Sequence, residues 1–187
     1  MTDSTINKDV TKREAIIAFG SNIGDRIGYF ERALRLLLKD GNSILIACSQ
    51  WYPTDPVEGL EGQGFCLNCA IAITTKHTPK SLLKQLLSIE EALGRKRLEK
   101  KSPRTIDLDL VLFENEQAHT HFLELPHPRF KQRTFVLCPL RDLLKTEALK
   151  SKYWTPLKKE YQDYDSEEGI RGSLPPSPLF LKACMPS

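Results

Sequence analysis

The sequence predicts an α+β domain whose elements run β-α-β-β-α-β. Three observations carry this. Short apolar runs with strand patterning alternate with two stretches whose apolar residues recur at helical spacing. Turn-forming Gly, Pro, Asn and Asp residues fall between them. A chain of 187 residues, 40% hydrophobic and 27% charged, is also long enough for one well-buried domain and marginal for two. That order is the split βαβ, ferredoxin-like arrangement, in which helices pack on an antiparallel sheet.

Glu14 to Gly20 is a short apolar strand, closed by Gly20-Ser21-Asn22-Ile23-Gly24-Asp25. A helix from about Asp25 to Leu38 lines up Ile27, Phe30, Leu34, Leu37 and Leu38, and Gly41-Asn42 ends it. Ile44 to Tyr52 reads as the second strand, followed by a loop over 53–64 rich in Pro and Gly. Phe65 to Thr75 is the third. Thr78 then caps a helix with Pro79 at its first position; Leu82, Leu86, Ile89 and Leu93 form its apolar stripe and Gly94 stops it. The fourth strand is Arg104 to Phe113. After a turn at Glu114-Asn115-Glu116, a short return strand reaches Leu125, where Pro126-His127-Pro128 breaks the pattern. Arg133 to Leu144 reads as partly helical, interrupted by Pro139, and Tyr153 to Tyr164 as a short amphipathic helix. Asp165 to Ser187, with Ser173-Leu174-Pro175-Pro176-Ser177-Pro178, reads as a mobile tail or an interdomain linker. The expected organisation is a flexible N-terminus over 1–13, a folded domain over 14–150 and a C-terminal extension over 151–187, partly disordered.

The net charge of +3 is too small to imply a nucleic-acid or membrane partner. No run approaches 18 apolar residues and the first ten residues lack the apolar core of a signal peptide, so a cytoplasmic protein is expected. Five cysteines, an odd number mostly within apolar runs, suit reduced thiols. Cys66 and Cys69 form a C-x-x-C, but positions i and i+3 of a strand face opposite sides, and they read as packing residues. His119 and His121 would share a strand face, which a polar hairpin explains equally well.

Chemistry concentrates in one stretch. In a strand over Pro103 to Leu112, Ile106, Leu108, Leu110 and Leu112 share the apolar face. Asp107 and Asp109 stand together on the other, with Cα atoms roughly 6.5–7 Å apart. Two carboxylates so close repel unless cations lie between them, and a pair of Mg²⁺ ions about 3.5–4 Å apart bridged by phosphate oxygens fits the spacing. Immediately upstream, Arg95 to Arg104 holds six basic residues in ten. A cationic loop leading into a carboxylate strand suits a metal-chelated polyphosphate better than a bare phosphodiester backbone. No G-x-x-x-x-G-K-[ST] occurs, so a P-loop is not the means of holding it.

Gly20-Ser21-Asn22-Ile23-Gly24-Asp25-Arg26, Leu93-Gly94-Arg95-Lys96-Arg97, Pro103-Arg104-Thr105-Ile106-Asp107-Leu108-Asp109, Pro126-His127-Pro128-Arg129 and Arg133-Thr134-Phe135 resemble, in order and spacing, the 6-hydroxymethyl-7,8-dihydropterin pyrophosphokinases of folate synthesis. The likeness covers roughly residues 14–145. It implies transfer of the β,γ-pyrophosphate of MgATP to the pterin hydroxymethyl group, releasing AMP. Asp107 and Asp109 would hold two Mg²⁺ ions. Arg104, His127 and Arg133 would contact the nucleotide phosphates, Arg95 and Arg97 would ride on a loop closing over the site, and Glu90 would line the ATP side. Asn68 would hydrogen-bond the pterin beside Thr54, Pro56 and Val57, with Phe135 stacking on it. The resemblance further implies ATP and the pterin as partners, and association with another folate enzyme through the C-terminal extension.

Departures from the family pattern fall beside the pterin. An aromatic is usual two residues before the pterin-binding Asn, where this chain has Cys66. Either a bulge re-aims Phe65 to supply the second stacking face or that face is lost. Ser102 stands where Gly or Ala is usual, Lys101 near where some members carry Trp, and Leu87 where some carry a polar ATP contact. Two rival readings are a ferredoxin-like nucleic-acid-binding module using 95–104 as its basic patch, and an inactive relative serving as a structural arm.

Overall fold

A computed structural model describes residues 12–56, 64–95 and 104–185. The first half comprises β1 (Arg13–Ser21), α1 (Arg26–Leu38), β2 (Ser43–Cys48), β3 (Tyr52–Thr54), β4 (Cys66–Thr75) and α2 (Pro79–Ala92). It continues with β5 (Asp107–Phe113), the two-residue strands β6 (Ala118–His119) and β7 (Glu124–Leu125), α3 (Thr134–Leu144), α4 (Thr155–Tyr161) and α5 (Pro178–Ala183). The main sheet runs β2-β4-β1-β5, antiparallel throughout, with β3 added to β4 beyond the end of β2. This is the ferredoxin-like order that the alternation of elements predicts.

β1 is central and apolar on both faces. Ala15, Ile17 and Phe19 enter a core with Phe30, Ala33, Leu34 and Leu37 of α1 and Leu82, Leu86 and Ile89 of α2. Ile16 faces the opposite layer, with Val136, Leu137, Leu140, Leu143 and Leu144 of α3. The two sheet-covering helices start on side-chain caps: Asp25 accepts from the Gly28 N–H at 2.9 Å, and Thr78 from the Ser81 N–H at 3.2 Å.

Several boundaries differ from expectation for identifiable reasons. The strand expected over Ile44 to Tyr52 is split at Ser49-Gln50 into β2 and β3. There the Ser49 hydroxyl accepts the Ala70 N–H at 2.9 Å, standing in for a ladder carbonyl. α3 is not interrupted at Pro139 but runs through it. Its apolar face buries Val136, Leu137, Leu140, Leu143 and Leu144, which offsets the roughly 3 kcal/mol cost of an interior proline. In β5, Ile16 pairs with Leu112 and Ile17 with Leu110, leaving Val111 as an extra residue. The bulge sends Leu112 into the α3 layer, so it does not share a face with Leu108 and Leu110.

The mobile tail or linker expected over 165–187 is corrected for residues 165–185. Trp51 and Leu174 exchange backbone hydrogen bonds of 2.8 and 2.7 Å, and the Arg171 N–H donates to the Pro53 carbonyl at 2.8 Å. The chain then enters α5, whose Phe180 is fully buried and meets Trp51 edge to face at 5.3 Å. Upstream, the buried Glu14 carboxylate accepts hydrogen bonds from the Lys150 and Ser151 N–H groups and the Trp154 indole. The prolines that suggest a linker act here as an extended strap and as the first residue of α5. Phe180→Ala should therefore cost about 3–5 kcal/mol, lowering the thermal midpoint by roughly 6–20 °C. An unchanged midpoint would mean that the strap is not part of the folded unit.

Candidate active site

The bulge at Val111 brings two segments together. Its carbonyl accepts the His127 N–H at 2.9 Å, docking the loop after β7 beside the acidic strand. Asp107 and Asp109, one residue apart in β5, present their carboxylates on the face opposite Leu108. One Asp107 oxygen lies 2.6 Å from Arg95 and the other 2.5 Å from Arg104. Asp109 is held more loosely, 3.5 Å from Arg133 and 4.0 Å from the His127 ring. Burial pushes the Asp109 pKa up, and the neighbouring Asp107 charge adds to it. Burial also disfavours the charged forms of His127 and Arg133, lowering their pKa values.

Glu90, 2% exposed near the end of α2, ties this strand to the basic segment. Its Oε1 accepts the Leu108 N–H at 2.8 Å and an Arg95 guanidinium N–H. A third tether comes from the β1–α1 turn. Asn22 Oδ1 accepts the Arg104 N–H at 2.6 Å, and the Asn22 N–H donates to the Arg104 carbonyl at 3.2 Å. Arg104 is thereby fixed three residues before Asp107. The sequence signals Asn22 only as part of a Gly-Ser-Asn turn, and its grip on Arg104 emerges from the fold.

Gly20 pairs with Asn68 of β4 on one side and with Asp107 of β5 on the other. A Cβ at Gly20 would lie 3.4 Å from Asn68 Oδ1 and 3.7 Å from the Asp107 Cβ. Glycine thus leaves an open floor between the amide and the carboxylates. Asn68 is buried and donates from Nδ2 to Thr54 Oγ1 at 2.8 Å, leaving its carbonyl oxygen on the Gly20 side. Phe135 opens α3 half-buried, with the Arg133 guanidinium 5.5 Å from its ring centre. Pro56, two residues beyond β3, is half-buried. Val57 and Arg97, with the rest of 96–103, lie outside the described residues.

Phe65 precedes β4, which begins at Cys66 and pairs with β1 without a register shift from Leu67 onward. The Phe65 ring lies 4.5 Å under the Arg26 guanidinium, and its carbonyl accepts from Arg26 at 3.0 Å. Cys66 shares the Asn68 face, and Cys69 is buried in the opposite core.

An open cavity of about 560 Å³ is lined by Lys84, Leu87, Ser88, Glu90, Glu91, Arg95 and Phe122, and Arg95 links it to Asp107. Phe122, 38% exposed between β6 and β7, is a lining residue that hairpin patterning did not single out.

Residues 16–145 match the family model described as 7,8-dihydro-6-hydroxymethylpterin-pyrophosphokinase. The chain belongs to that family. Like other members of the family it is an ATP-dependent transferase of folate synthesis, not a nucleic-acid-binding module. It is 45% identical over 129 residues to the Bacillus subtilis 2-amino-4-hydroxy-6-hydroxymethyldihydropteridine pyrophosphokinase, covering 69% of this chain and 77% of that protein. Against the mitochondrial folate synthesis bifunctional protein of Arabidopsis thaliana it is 41% identical over 143 residues, covering 76% of this pyrophosphokinase but only 26% of the plant protein. A Plasmodium falciparum HPPK-DHPS crystal structure superposes with a TM-score of 0.54 at 15% identity, over 86% of this chain and 45% of that one, a likeness of fold.

Proposed function

We propose that this chain transfers the β,γ-pyrophosphate of ATP to the hydroxymethyl group of 6-hydroxymethyl-7,8-dihydropterin, giving the pterin diphosphate and AMP. The observation that carries the reading is the strip formed by Asn68, Gly20 and Asp107, which sets a buried amide beside a carboxylate pair, as a heterocycle and a polyphosphate would need. Family membership supports Mg²⁺ with ATP, and the donor set fits it. Asp107 and Asp109 supply hard carboxylate oxygens on one strand face, the kind of ligand Mg²⁺ takes together with phosphate oxygens and water. Two ions at Asp107 and Asp109 would neutralise phosphate charge and polarise the β-phosphorus when bound.

The chain's own residues do the rest by position. The hydroxymethyl oxygen bonds to the β-phosphorus as that phosphorus parts from the α,β-bridging oxygen, which leaves on AMP. Arg95 and Arg104, on Asp107 without ligand, have stronger acceptors in a triphosphate, and moving onto it frees the carboxylate. Asp107 then assists removal of the hydroxyl proton. His127 and Arg133 contact the phosphates from the Asp109 side, and Arg97 joins them from the closing loop. Leu87 and Phe122 offer apolar surface to the adenine within the cavity that Glu90 lines. Asn68 reads the pterin edge, Phe135 stacks on it, and Thr54, Pro56 and Val57 border it. Cys66 stands where a second ring would be, so that face is closed by a thiol.

Incubation with MgATP and the hydroxymethyl dihydropterin should yield AMP and pterin diphosphate. ADP as the nucleotide product, or no pterin-dependent turnover, would overturn the reading. The proposed compartment is the cytoplasm, supported by five free cysteines and by the lack, among the described residues, of a helix long and apolar enough to cross a membrane. Association with another folate enzyme is proposed through the C-terminal extension, whose Leu181 and Met185 are exposed on and just beyond α5. Separate elution of the two proteins in size-exclusion chromatography at micromolar concentrations would remove that part.

A further inference from the structure

Cys48 ends the edge strand β2 and Cys184 caps α5, 136 residues later, yet their sulfurs lie 3.7 Å apart. Both side chains are half-buried against the helix-side core, so each keeps some access to solvent. The other cysteines are placed differently. Cys69 is fully buried, Cys138 donates to the Ser166 carbonyl at 3.3 Å, and Cys66 lies on the opposite, Asn68 face of the sheet. We propose that Cys48 and Cys184 form a reversible disulfide, made by exchange with a low-molecular-weight disulfide such as oxidised glutathione, that locks the C-terminal strap onto the sheet.

The exchange proceeds in two displacements. The Cys184 thiolate attacks one sulfur of the small disulfide, forming a mixed disulfide and releasing one thiol. Cys48 then attacks the Cys184 sulfur and releases the second. The protein pair loses two electrons and two protons, and the small disulfide is reduced to two thiols. In the resting pair the Cys184 S–H donates to the Cys48 sulfur. Once Cys184 has lost its proton, the Cys48 S–H can turn to donate to the thiolate, which lowers the Cys184 pKa and makes it the first nucleophile.

What the bond would hold is the strap that covers β3. Between Gly169 and Leu174 the strap bonds to Trp51, Pro53 and Asp55, and α5 then inserts Phe180 beside Trp51. β3 ends at Thr54, the partner of Asn68. Oxidation would close a loop of well over a hundred residues and restrict the unfolded chain accordingly, while tightening the edge of the sheet that supports Asn68.

The full chain should be treated with oxidised glutathione and mapped without reduction. A peptide containing Cys48 should appear joined to one containing Cys184. The thermal midpoint should rise by about 5–15 °C and return with dithiothreitol. Cys48→Ser and Cys184→Ser should each lose both effects, and Cys66→Ser should keep them. Stable glutathione adducts without the internal link, linkage of other cysteines in its place, or a link that leaves the midpoint unmoved would each overturn the proposal. The wild-type map decides the matter even if a serine variant folds poorly.

Discussion

Asp109→Ala should lower kcat by roughly 10²- to 10⁴-fold while leaving the pterin KM within a fewfold and the folded state no less stable. The stability expectation follows from charge. Asp109 has its pKa raised by burial and by the Asp107 charge, so ionisation costs the folded state more than the unfolded chain. For a carboxylate with a raised folded pKa, that cost is absent below the unfolded pKa and fully present above the folded one. Near neutral pH, metal-free protein should therefore gain from losing the charge, and Asp109→Asn should melt at or above the wild-type midpoint. Arg133 at 3.5 Å and His127 at 4.0 Å are too loosely placed to reverse that balance. A carboxylate kept at the expense of stability is expected where it serves the reaction. Near-normal turnover in Asp109→Ala at subsaturating Mg²⁺ would remove Asp109 from the phosphate-binding role. A large fall in melting temperature would show that it acts on the fold.

Most of the sheet was legible because its signals are local. The apolar runs of β1 and β4, the helical stripe of α2 with its Thr78-Pro79 start, and the acid-bearing strand all depend on residues within one element. The misreadings share a physical origin: long-range contacts decided them. Ser49 splits a strand by bonding Ala70, twenty-one residues away, and Val111 bulges where β5 meets β1 and the His127 loop. Pro139 stays helical because α3 has a sheet to bury its apolar face against. The Pro-rich strap looks like a linker until Phe180 is seen between Trp51 and Phe19. At the site the same division holds. The Asp107–Asp109 pair and the adjacent basic residues are readable from a single stretch. The Asn22 tether on Arg104, the Glu90 bond to Leu108 and the Phe122 wall bring together residues distant in sequence. Phe65 shows the limit of pattern alone. The sequence left two alternatives there, a ring re-aimed by a bulge or a lost stacking face, and the contact of Phe65 with Arg26, distant in sequence, is what pattern could not supply.

Asn68→Leu should act on binding where Asp109→Ala acts on turnover. Asn68 is buried in β4 with one amide hydrogen committed to Thr54 at 2.8 Å and its carbonyl oxygen beside the open floor over Gly20. Leucine fills a similar volume, so the strand should persist, although Thr54 loses its donor. A pterin in that pocket would then bury an amide-like edge against a side chain that can neither donate nor accept. Each unmet hydrogen bond costs about 1–3 kcal/mol, so losing two should raise the pterin KM by roughly 30- to 20,000-fold. The effect should fall on KM because the edge contacts are present equally in ground and transition states. ATP affinity, set on the far side of Asp107, should stay within about threefold of wild type. Asn68→Gln, which keeps both kinds of polar atom one methylene further out, should recover part of the loss. If Asn68→Leu binds pterin as tightly as wild type while remaining folded, the heterocycle does not lie over Gly20. If kcat falls by as much as KM rises, Asn68 shapes the reacting geometry and not only the pocket that holds the ring.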